Sequence, residues 1–175
     1  FGEQKLNFCG FRAEKYVDVI ISSMSKALGC FGGYVVGNGD LVEYLINKSR
    51  QFIYTSALPS IFASASITAL KFCIKGSLQK KLWNNVSKFR KGLFNIGFNV
   101  SSSSHIIPII IGDEKKALTL SKTLLKEGVF VQAIRYPTVP KGSARIRVSI
   151  TSSLEKHIDD ALDAFNRSAQ KLSLI

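Results

Sequence analysis

Short β-branched runs alternate with long stretches of helical period along this chain, and no other feature constrains its fold as much. "VDVIISS" (17–23) and "GGYVVG" (32–37) are short, β-branched and bounded by Gly and Ser, which predicts two buried strands. "DLVEYLINKSR" (40–50) sets Asp40 and Glu43 at capping-box spacing, which predicts a helix. "FIYTS" (52–56) reads as a short strand or extended run, and Pro59 opens a helix over "PSIFASASITALKFC" (59–73). In "LQKKLWNNVSKFRKGLF" (78–94), Leu78, Leu82, Val86, Phe89 and Leu93 recur at spacings of three and four, predicting a helix that ends near Gly97. A serine loop and the strand "HIIPIIIG" (105–112) follow, where Pro108 implies an edge position. Then come a helix over 113–128 closed by Gly128, a strand over 129–136, the rigid loop "PTVPKGS" (137–143), and a strand over 144–150. A last helix over 152–172 has Ser152 or Ser153 as its cap. This alternation implies an α/β fold. The helix near 78 and the serine run beyond it imply a boundary, giving units 1–78 and 79–175.

Composition narrows the class. At 46% hydrophobic residues over 175, the chain has enough apolar content to bury a core, which excludes disorder. No apolar run reaches the roughly 18–20 residues that span a bilayer, so no membrane segment is expected. The opening "FGEQKLNFCG" lacks an apolar signal-peptide core, and the three cysteines have no metal-type spacing. Both point to a reduced, cytoplasmic setting without a metal. The net charge of +12 raises nucleic acid as a partner. The lysines are scattered along helices rather than blocked, which reads as solvated faces and no nucleic-acid site, with an anion surface suited to phosphorylated small molecules as the alternative. His105 and His157 have no triad or ligand partner nearby in sequence and read as structural or exposed.

One stretch carries chemistry. In "ISSMSKALGCFGGYVVG" (21–37), Lys26 sits between the two predicted strands among hydroxyls and glycines. Desolvation of a half-buried lysine favours the neutral, nucleophilic amine that a Schiff base with a carbonyl cofactor requires. Hydroxyls at Ser22, Ser23 and Ser25 with glycines beside them suit a phosphate. Spacing alone leaves a second reading open, a surface lysine in a flexible Gly/Ser turn.

"SMSKALGCFGGYVVG" resembles the Ser-Lys-Ala-Leu-Gly … Gly-Gly-Tyr signature of the α-oxoamine synthases, pyridoxal-phosphate enzymes of the aspartate-aminotransferase fold. These condense an amino acid with an acyl thioester and release CO₂. "RQFIYTSALPS" (50–60) and "VQAIRYPTVPKGSARIRVSIT" (131–151) are similar to two further family segments, in order and at compatible spacing. The resemblance covers essentially the whole chain, as the second half of a longer enzyme. It implies a type I pyridoxal-phosphate transferase fold, with 1–78 as part of the large cofactor domain and 79–175 as the small C-terminal α/β domain.

The resemblance also implies site residues. Lys26 would form the Schiff base with pyridoxal 5'-phosphate and move the proton in the carbanion steps. Ser23, where the family usually has Thr, would contact the cofactor phosphate. Thr55 and Ser56 would reach the phosphate of the neighbouring subunit's cofactor, which implies a homodimer. Arg147 would hold the amino-acid carboxylate, Thr138 would line the substrate site, and Arg135 is a weaker substrate contact. Without the resemblance, Thr138 reads equally as a rigid loop residue. Arg145 and Arg147, on one face of a strand, read equally as solvated.

Within the family the segments are most similar to the branch that joins L-alanine to a pimeloyl thioester, from pimeloyl-CoA or a pimeloyl carrier protein. Glycine C-acetyltransferase, 5-aminolevulinate synthase, a sphingoid-base synthase and an inactive remnant are the alternatives. The family's frequent histidine near Leu154 is absent. "FGEQ" is similar to the tail of the family's Asp-x-Ala-His segment, so the ring-binding acid and histidine are expected upstream, and this portion alone is expected to be inactive.

Overall fold

The computed structural model describes residues 7–8, 11–12, 17–100 and 102–175, with side chains from Val17 onward. The readings placed on Phe1–Gln4, Cys9 and Ser101 lie outside them. The chain divides into two compact units, Phe1–Gln79 and Lys80–Ile175.

In the first unit, β1 (Asn7–Phe8) pairs antiparallel with β2 (Phe11–Arg12), and β3 (Ile20–Ser23) pairs antiparallel with β4 (Gly33–Val36). The ladder sets Ile20 opposite Val36 and Ser23 opposite Gly33. Both predicted strands form, but they are not buried. Ile21 is 76% exposed and Val36 51%, because a two-stranded ribbon has no described layer over its faces. Helix α1 (Gly39–Lys48) is capped by Asn38, not by the Asp40–Glu43 box. Extended backbone at Asn38 lets its Oδ1 accept the Leu41 N–H at 2.8 Å, which leaves Asp40 in the first turn.

The short strand or extended run expected at 52–56 begins instead as helix α2 (Arg50–Ile53), followed by a turn. The Phe52 and Ile53 amides both donate to the Ser49 carbonyl, so local helical bonding overrides the β-branched propensity where no described strand pairs with the segment. Helix α3 (Ser60–Lys75) follows Pro59 and ends at Gly76 in the left-handed region, at φ 71°. Among the described residues of this unit only Ser66 is buried; it donates to Met24 Sδ at 3.1 Å.

All the buried hydrophobics among the described residues fall in the second unit. There α4 (Ser77–Ile96) buries Leu82, Val86, Phe89 and Leu93, while Leu78, predicted on the same face, is 46% exposed. Leu78 precedes the second unit, so that unit's core does not extend to it. Strands β5 (Ile106–Gly112), β6 (Gln132–Ile134) and β7 (Ala144–Ser149) form an antiparallel sheet in the order β5-β7-β6. Pro108 therefore sits on an edge strand, where its missing N–H costs no ladder bond. Helix α5 (Glu114–Lys126) is capped by Asp113, whose Oδ1 accepts the Lys116 N–H at 2.7 Å.

The last helix does not start at a serine cap. Ser152–His157 is a 3-10 turn that leads into α6 (Ile158–Lys171), a common way for an α-helix to begin. The core lies between the helices and the inner sheet face. Phe165 of α6 stands edge-on to Phe89 at 5.7 Å and to Phe98 at 6.2 Å, over Ile107, Ile109, Ile146 and Val148. Buried Asn85 is satisfied by donating to the Thr151 carbonyl at 2.9 Å, which ties α4 to the end of the strand–helix connection.

Candidate active site

Alternation in β3 puts Ile20 and Ser22 on one face and Ile21 and Ser23 on the other, and Ser23 is its last residue. The chain then leaves the ladder for a loop that backbone bonds close tightly. The Met24 amide donates to the Gly32 carbonyl at 2.9 Å, Cys30 N to Met24 O at 2.8 Å, and Gly29 N to Lys26 O at 3.1 Å. Gly29 and Gly32 hold positive φ of 61° and 112°, which a side chain rarely adopts. A Cβ on Gly32 would also meet Leu58 Cδ1 at 2.8 Å. The scarcity of bulk around the lysine is therefore required by the loop's own closure and by the approach of Leu58.

Lys26 lies in this loop and is exposed, not half-buried as the sequence suggested. No described element covers the loop's open side. At its entrance the hydroxyls of Ser23 and Ser25 are 2.6 Å apart, and the Ser25 amide donates to Ser23 Oγ at 3.1 Å. These groups form one small polar cluster before the amine. Thr55 and Ser56 belong to the same unit, in the exposed segment leading to Pro59, beside the Leu58 that touches the loop. An open groove lined by Leu28, Cys30, Ile61, Ala65 and Phe72 runs between the loop and α3.

The remaining nominated residues lie in the second unit. Thr138 and Arg135 share one turn containing the cis Tyr136–Pro137 peptide, where the Thr138 amide donates to the Arg135 carbonyl at 3.0 Å. Both are exposed. Arg147 lies on the central strand β7, opposite Pro108 on one side and Gln132 on the other. Its neighbours Ile146 and Val148 point into the core, so Arg147 stands on the outer sheet face with Arg145. Burial holds the imidazole of half-buried His105 below the usual histidine value of 6.5, and the positive charge of Arg147 adds to the effect. His157 is exposed beside Asp160, at 3.9 Å.

Two local features are invisible to periodicity. Asn38, which orients α1 after β4, lies one residue before a glycine and outside the apolar pattern. Arg145 looks like its neighbour Arg147 in sequence, but its Nε donates to the Ser143 carbonyl at 3.0 Å, a tether that only the turn geometry reveals.

The chain resembles known proteins in sequence and in fold. It is 41% identical over 168 residues to 8-amino-7-oxononanoate synthase of Thermoanaerobacter pseudethanolicus, covering 94% of this chain and 42% of that protein. It thus spans less than half the length of the curated relatives it matches. Its fold superposes on a Sphingomonas wittichii serine palmitoyltransferase with a TM-score of 0.92 at 25% identity, over all of this chain and 45% of that one. A high-resolution structure of the same kind of enzyme, determined with pyridoxal phosphate, matches with a TM-score of 0.85 at 27% identity, over 93% and 42% of the two chains. Residues 2–165 match the family described as aminotransferase class I and II. With the lysine loop, the hydroxyl cluster and the arginine strand on one α/β chain, that match shows that the chain belongs to the aminotransferase class I and II family.

Proposed function

We propose that the chain is part of a pyridoxal-phosphate-dependent acyltransferase that joins L-alanine to a pimeloyl thioester, with loss of CO₂, to give 8-amino-7-oxononanoate. The observation that carries this reading is the 41% identity over 94% of the chain to a synthase of that name. The residues present suit the cofactor. A reachable amine sits in a loop fixed by backbone bonds, with two hydroxyls 2.6 Å apart at its entrance as phosphate donors.

When bound, pyridoxal phosphate supplies an electron sink for the amino acid's Cα electrons. Lys26 would hold its carbonyl carbon covalently and carry the proton to and from Cα. Ser23 would donate to the phosphate. Thr55 and Ser56 would do the same for a neighbouring subunit, which makes the complete protein a homodimer. The exposed apolar residues of α3 (Ile61, Ile67, Ile74) support burial of that helix in the full assembly. Arg147 would grip the alanine carboxylate through its two-pronged guanidinium and align the bond to be broken. Thr138 and Arg135, in one turn, would flank the substrate. In the reaction the Cα–carboxylate bond breaks, CO₂ leaves, Cα bonds to the acyl carbon and the thiol departs. We assign 1–78 to the large cofactor domain and 79–175 to the small domain. The free thiols of Cys30 and Cys73 support a cytoplasmic setting.

The fold similarity to serine palmitoyltransferase favours a second reading, in which serine is the amino acid. The two are separated by supplying the full-length protein with L-alanine, glycine or L-serine and a pimeloyl thioester, and measuring CO₂ and product. Alanine is expected to dominate. A preference for glycine moves the protein to the acetyltransferase or aminolevulinate branch, and a preference for serine to the sphingoid branch. Arg147→Lys keeps the charge but loses the fork, so alanine binding should weaken by about 1–3 kcal/mol while donor binding changes little. Unchanged alanine affinity would move the carboxylate contact to Arg135.

A further inference from the structure

The outer face of the β5-β7-β6 sheet carries more cationic capacity than one amino-acid carboxylate uses. The three strands and the 135–143 connection hold Arg135, Lys141, Arg145 and Arg147 and no acidic residue. None of the four forms an ion pair among the described residues. Lys141 is occupied over the Tyr136 ring, at 5.2 Å. Arg145 differs from the others. It is half-buried, and its Nε is tied to the Ser143 carbonyl at 3.0 Å, which fixes the guanidinium while leaving its terminal nitrogens free. A tethered, half-buried guanidinium without a carboxylate is a preformed anion site, because the entropy of ordering the side chain is already spent.

Its neighbours narrow the anion. Across the ladder Arg145 faces Ile110 on β5 and Ile134 on β6, and the next outer residues on β5 are Pro108 and Ile106. Ile110 is 53% exposed. The surface is therefore an apolar strip with Arg147 and Arg145 two residues apart on its central strand, roughly 6–7 Å along it. A pimeloyl thioester is an acid at its far end, with a polymethylene chain between that carboxylate and the reacting carbonyl. Both substrates thus bring a carboxylate, and the strand offers two guanidiniums beside apolar side chains.

We propose that Arg145 is a specificity-determining residue that binds the distal carboxylate of the acyl donor, with Ile110 and Ile134 flanking the methylene chain. The proposal rests on the acyltransferase reading above. It makes the enzyme selective for donors ending in a carboxylate over equally long donors that end in a methyl group.

The test uses the full-length protein with alanine and either pimeloyl-CoA or heptanoyl-CoA. The wild type should favour pimeloyl-CoA in kcat/KM by about 10- to 100-fold, the range for a lost charge-assisted contact. Arg145→Gln should collapse that ratio toward unity through the pimeloyl KM, with alanine affinity unchanged. Arg145→Lys, which keeps the charge, should retain part of the preference and serves if the Gln variant fails to fold. Equal use of both donors by the wild type overturns the proposal without any variant. A ratio that survives in Arg145→Gln overturns it as well. So does an equal loss on both donors, which would mark Arg145 as a contact for the coenzyme's phosphates. If the wild type turns over neither donor, whether carried on coenzyme A or on a carrier protein, the acyltransferase reading itself fails, a result separate from all of these.

Discussion

At the scale of single residues, the site is built by backbone more than by side chains. Lys26 is fixed through the bonds that close 24–32 and through two glycines with positive φ, so the amine is placed while its side chain stays free. Arg147 is placed by alternation: with Ile146 and Val148 buried, its side chain is committed to the outer face, and a one-residue slip would bury it. His105, near that arginine, supplies a titration signal. Its pKa is lowered in the folded protein, so over the interval below 6.5 the unfolded chain binds more protons than the folded one. Stability from this group is therefore present above that interval and lost as the pH falls through it. Denaturant midpoints of the wild type between pH 7.5 and pH 5 should decline, and His105→Gln should decline less. Identical pH profiles would show that His105 titrates alike folded and unfolded.

At the scale of elements, α4 meets α6 where Phe89 stands edge-on to Phe165 and where Gly92 lies under Leu162. Gly92 lies inside α4, where alanine would ordinarily add about 1 kcal/mol of helix propensity. A Cβ there meets Leu162 Cδ1, with Cδ2 at 2.6 Å and Cγ at 3.0 Å, and overpacking of this kind costs about 1–3 kcal/mol. Gly92→Ala should therefore destabilise the protein, yet stabilise it in a Leu162→Ala background. The same effect in both backgrounds, read by thermal or chemical denaturation, would contradict this packing. The elements legible in sequence were those whose pattern is settled within the element. The α4 stripe from Leu82 to Leu93, Gly97 and Gly128 as stops and Pro108 on an edge all follow from local chemistry. The misreadings depended on partners. "FIYTS" has strand composition but no strand among the described residues to pair with, and Leu78 continues a helical stripe past the end of the core that the stripe serves. The lysine loop and the arginine strand were legible through their motifs, whereas the Arg145 tether needed the turn at Ser143.

At the scale of the whole chain, apolar content and burial part company. The composition provides for a core throughout, yet every buried hydrophobic among the described residues lies in 80–175, while α1, α3 and the β3–β4 ribbon leave large apolar side chains exposed. Relatives more than twice as long supply a physical reason for such surfaces, since apolar faces of this extent are made to be covered. The catalytic assignment we propose is therefore one for the full-length protein, and it centres on Lys26. The most direct measurement is to load the full-length protein with pyridoxal phosphate, reduce it with borohydride, digest it and locate the pyridoxyl group by mass spectrometry. The label is expected on Lys26, and Lys26→Ala should carry none at that position and form no product from alanine and a pimeloyl thioester. A label on another lysine with Lys26 unmodified, or normal turnover by Lys26→Ala, would contradict the account.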